Sequence, residues 1–153
     1  MDADTEMKLE KYKIALDFLK FEATTLWQIY SAFLVAHTIL LGFITASFAG
    51  IKSGEVNFII LLIAGVIGLL LAILWTGTTH RNSEWYYIRM KQAKEAEETL
   101  VGNKDKWHLL TKGAAKFNKG IRNRTASYGM CIIFILIYLG IISFSFIKIS
   151  WVR

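Results

Sequence analysis

Few of the residues able to do chemistry stand within reach of one another by spacing. His37, His80 and His108 lie too far apart to hold one metal, and Cys131 is the lone cysteine. No Walker loop, dinucleotide fingerprint, nucleophile elbow or zinc cluster occurs. The chain is therefore expected not to be an enzyme and to carry no cofactor or metal. Ion-driven transporters usually bury a carboxylate in their spans. The uncharged stretches 23–51, 56–79 and 125–147 hold none. His37 is the one imidazole there, with either a proton or ligand role or a hydrogen bond to a neighbouring helix.

Two other groupings carry possible function. Thr24, Gln28, Ser31, Thr38, Gly42, Thr45 and Ala49 recur at helical steps, with Val35 filling the one missing place. Such a small, polar face avoids acyl chains and seeks protein or water. It serves as a dry packing seam, or it lines an aqueous path, with Gln28, Ser31, Thr38 and Thr45 as pore-lining candidates and His37 beside them. The second grouping is Lys104, Lys106, Lys112, Lys116, Arg122 and Arg124, interspersed with Trp107, His108 and Phe117. Charge with stacking suits a nucleotide or a short single strand rather than double-stranded DNA. The same charges also follow from the preference of basic loops for the cytoplasm and from attraction to anionic lipid.

The elements that position these residues are membrane spans. Of 153 residues, 54% are hydrophobic, and they cluster in the three uncharged stretches. Each exceeds the roughly 20 residues needed to cross about 30 Å of hydrocarbon. The expected fold is all-α: an integral membrane protein with three transmembrane helices, a long N-terminal stalk helix and a cytoplasmic helical hairpin between spans two and three. The expected divisions are a stalk over 1–22 and spans at about 24–50 and 56–78 within 23–79. A basic helical segment follows over 80–124, then a third span and outer terminus over 125–153.

The lysines and arginines set the orientation. Fifteen of eighteen lie before the first span or between the second and third, on one face of a three-span chain. That places the N-terminus in the cytoplasm and the C-terminus outside a bacterial inner membrane. The N-terminal residues lack a basic lead into a short apolar core, so the first span is expected to remain in the mature protein.

Leu9, Tyr12, Leu16, Leu19, Ala23, Leu26, Tyr30 and Phe33 alternate steps of three and four, a packing seam along one helix from about Thr5 to Ala49. Ala64, Gly68 and Ala72, with Gly65 adjacent, promise close contact on the second span, and Trp75 is expected at its interfacial end. Strong helix formers from Arg81 to Leu100 extend that span as a helix that stops near Gly102, and a further helix is expected over 104–119. Proline is absent, so nothing forces a kink.

The layout from Leu16 to Gly42, with Trp27 and Gln28 opening a span, precedes a glycine-bearing second span. An aromatic, charged helix follows, from Trp75 through Trp85, Tyr86 and Tyr87 to Glu97 and Glu98. This order resembles small bacterial membrane effectors encoded beside antiviral nucleotidyltransferases, and in outline the membrane effector of the Hailong defence system. The resemblance implies a homo-oligomeric pore of about four subunits, gated by a nucleotide or oligonucleotide ligand made by a partner nucleotidyltransferase. Opening would depolarise the infected cell. The alternatives are a non-conducting membrane adaptor or scaffold, and a small transporter using His37.

Overall fold

The computed structural model describes residues 2–49, 57–102 and 123–152. They form three α-helices: α1 over Ala3–Ala49, α2 over Phe58–Val101 and α3 over Asn123–Val152. No strand occurs among the described residues. Each helix is long and apolar enough to cross a membrane, so the protein is an all-α membrane protein with three spans.

The two long helices run on past the hydrocarbon without a break, as a chain lacking proline allows. At about 1.5 Å per residue, α1 and α2 are each about 65–70 Å long, more than twice the membrane core. The start of α2 is capped by Asn57, whose Oδ1 accepts from the amides of Ile59 (3.0 Å) and Ile60 (3.4 Å). Its end comes at Gly102, which takes a φ of 59° and donates its amide to the Glu98 carbonyl at 2.9 Å. That left-handed turn needs glycine and is the stop expected there. The expected helix over 104–119 lies outside the described residues.

The chain forms two compact units. One comprises Met1–Gln28 and His80–Arg124, the other Ile29–Thr79 and Thr125–Arg153. In the first, Leu19 and Ala93 are buried, and Glu97 is buried near Tyr12. Burial, with the Glu97 charge added, pushes the Tyr12 phenol above its ordinary pKa. The Arg89 guanidinium lies 4.8 Å above the Phe18 ring and 5.9 Å from that of Trp85, and it donates to Gln92 Oε1 at 2.9 Å.

The second unit is the membrane bundle. Ile44, Leu61, Ala64, Ala72, Trp75, Cys131, Phe134 and Tyr138 form its core. Ala64, Gly68 and Ala72 are all buried, so the small-residue pattern does mark a close approach. A Cβ added to Gly68 would fall 2.1 Å from the Tyr138 ring, and one on Gly65 would fall 2.9 Å from Ile142. Glycine at 68 is what lets the Tyr138 ring lie against the backbone of α2. Trp75, expected at the interfacial end of the span, turns its ring into the bundle. It is fully buried, edge-on to Tyr30 at 5.0 Å and stacked with Phe33 at 5.8 Å. An indole offers more apolar area than any other side chain, and residues of all three helices pack on it.

Candidate functional site

Within the membrane unit, α1 presents three faces about a third of a turn apart, at about 100° per residue. The inward face carries Tyr30, Phe33, His37 and Ile44, all packed on α2 or α3 residues of the same unit. A second face carries Ser31, Thr38, Gly42 and Thr45, all exposed. The third carries Ile39 and Phe43, exposed and apolar. Gln28 and Thr24, in the other compact unit, are exposed as well. Of the three spans, that of α1 is the least covered by its own chain.

His37 thus stands apart from the polar face on which Ser31, Thr38 and Thr45 lie. It is fully buried, stacked on Phe134 at 4.3 Å and tilted against Trp75 at 5.3 Å. Its Nδ1 is 2.9 Å from the Tyr138 hydroxyl, which ties α1 to α3. The hydrogen-bonding alternative for this histidine is the geometry found. Neither its Nε2 nor the Trp75 Nε1 has a partner. In the same core the Cys131 thiol is buried.

The hydroxyls of the exposed face are oriented. Thr38 Oγ1 donates to the Leu34 carbonyl at 2.8 Å, Thr45 Oγ1 to that of Leu41 at 2.7 Å, and Thr24 Oγ1 to that of Lys20 at 2.9 Å. A hydroxyl has one proton to give and two lone pairs. With the proton spent on the helix backbone, each oxygen presents lone pairs outward, and the row becomes a line of acceptors suited to water or cations. The periodicity located this face; which face its own chain would cover was not readable from it.

Among the basic candidates, Lys104, Lys106, Lys112, Lys116 and Arg122 lie outside the described residues, and for Arg124 only the helical backbone is described. Among the described residues no group of histidine, cysteine or acidic side chains could hold a metal.

The profile of the octameric membrane protein family (8xMP) matches residues 9–147, from the stalk through all three spans. No curated protein and no solved structure matches the chain. The likeness to the Hailong effector rests on layout alone.

Proposed function

The chain belongs to the octameric membrane protein family, and from that premise we propose that eight copies ring a common axis and form a pore lined by the polar face of α1. The observation that carries this is the exposure of Ser31, Thr38, Gly42 and Thr45 on the span least covered by its own chain. Polar faces in a membrane turn toward protein or water. Three spans enclose no water alone, whereas a ring does.

Eight subunits rather than the four of the layout resemblance follow from the family, and the difference matters for conduction. Eight helices packed about 10 Å apart close a ring whose axes lie about 13 Å from the centre, which leaves a lumen about 15 Å across. Four leave only about 3 Å. The outward lone pairs of Thr38 and Thr45 favour cations. By charge, the N-terminus and the segment 80–124 are cytoplasmic, at a bacterial inner membrane, and the C-terminus is outside.

In the same proposal, an anionic nucleotide or oligonucleotide made by a partner nucleotidyltransferase gates the pore. The support is the charge of residues 104–124, seven basic against one acidic, and the resemblance to antiphage effectors. Native mass spectrometry of the detergent-extracted protein tests the assembly, with eight copies expected. Single-channel recording in planar bilayers tests the pore. Discrete openings that respond to oligonucleotides support it; an assembled protein that conducts under neither condition is a scaffold.

A further inference from the structure

The part of α1 that stands outside the hydrocarbon carries two opposite apolar seams, and among the described residues the second is left largely exposed, with Arg89 lying over Phe18. Leu9, Tyr12, Leu16 and Leu19 form the first. Leu19 is buried, Tyr12 feels the charge of Glu97 on α2, and the other two are half-buried. About half a turn away stand Met7, Ile14, Phe18 and Phe21. Met7, Ile14 and Phe18 are each 49% exposed and Phe21 is 65% exposed.

These four cannot be assigned to acyl chains. Asp4, Lys8, Lys11, Lys13, Asp17, Lys20 and Glu22 surround them on the same helix segment, and so many charges hold it out of hydrocarbon. Left in water, four large apolar side chains in a row are unfavourable. Their spacing points to a helical partner: the steps are seven, four and three, with Lys11 at the intervening place. Phe18 further extends the row sideways, since its ring lies beneath Arg89 beside Trp85.

We infer that Met7, Ile14, Phe18 and Phe21 form the contact by which one copy of this chain packs on the next in the octamer. The inference rests on the assembly proposed above and names its seam. A ring requires each subunit to offer two different faces, one to each neighbour. In the membrane unit, α1 has the matching arrangement: one face to its own bundle, one polar, and a third, with Ile39 and Phe43, still open. By register alone, steps of three and four lead from Phe21 through Thr25, Ile29, Ala32 and Ala36 to that third face.

The native alternatives for covering the row are the chain's own residues and nothing at all, and labelling separates them from a neighbour. Ile14→Cys and Lys13→Cys are each made in a Cys131→Ala background, and a water-soluble maleimide is applied to the intact octamer. Lys13 lies off the row and is exposed. The Ile14→Cys thiol is expected to react about tenfold or more slowly than the Lys13→Cys thiol, and to match it once a harsher detergent yields single copies. Equal rates in the octamer overturn the inference. So does protection that persists in the single copy, because the cover then belongs to the same chain.

A second variant needs no labelling. Ile14→Asp combined with Phe21→Asp is expected to cut the eight-copy fraction by about tenfold or more, with helix content by circular dichroism unchanged and Lys13→Asp still octameric. An octamer that survives the double substitution overturns the seam while leaving the assembly intact. A wild type found as single copies overturns the assembly itself, and the two failures are thereby distinct.

Discussion

Replacing Gly68 with alanine adds one methyl where the Tyr138 ring already lies. The new Cβ would stand 2.1 Å from Cε1 and 2.4 Å from both Cδ1 and Cζ. The ring has little room to yield, since Phe134 and His37 flank it at centroid distances of 6.4 and 5.5 Å. Overpacking of this kind costs about 1–3 kcal/mol. Moving the ring also breaks the hydroxyl's bond to His37, worth about 0.6 kcal/mol on average between membrane helices and up to about 1.7. Against these, alanine in a helix interior gains about 0.5–1 kcal/mol over glycine. The net expectation is a loss of about 0.6–4 kcal/mol. Gly77→Ala and Gly140→Ala are internal controls, because nothing lies within 4 Å of either new Cβ. Both should hold or gain up to about 1 kcal/mol. Unfolding by sodium dodecyl sulfate titration in mixed micelles, followed by circular dichroism, reads all three. A Gly68→Ala protein as stable as Gly77→Ala would refute the packing described for α2 and α3.

Three further outcomes are expected. Tyr138→Phe keeps the ring but leaves both nitrogens of buried His37 unpaired, and should cost about 0.6–1.7 kcal/mol in the same titration. Asn57→Ala removes the acceptor that caps α2 and should cost about 0.5–2 kcal/mol. Tyr12 has a folded pKa raised above 10.0 by burial and by Glu97, so its neutral form contributes stability that is complete below pH 10.0 and is lost as pH rises through the folded value. Alkaline unfolding monitored by circular dichroism should therefore begin at higher pH in Tyr12→Phe than in the wild type.

The sequence carried the spans and the helix stop at Gly102 because both arise from local signals, apolar length and a glycine in the left-handed turn. The small residues of α2 were readable for the same reason: steps of four keep Ala64, Gly68 and Ala72 on one side. The identity of what packs there was not. His37 and Tyr138 are 101 residues apart, and their meeting depends on how α1 and α3 register, which no single-helix periodicity contains. The burial of Trp75 against Tyr30 and Phe134 was hidden for the same reason, because its partners come from two other helices. Helices apolar on every side also hide which face their own chain covers, so the exposure of Ser31, Thr38 and Thr45 had to come from the packed bundle.

The central claim, that the polar face of α1 meets water inside the membrane, is tested most directly at neighbouring positions of one helix. Thr38→Cys and Phe43→Cys, each with Cys131→Ala, are exposed to a charged, membrane-impermeant thiol reagent during bilayer recording. Modification of Thr38→Cys alone, with a lasting change in current, is the predicted result; an inert Thr38→Cys, or equal reaction at both positions, would contradict it.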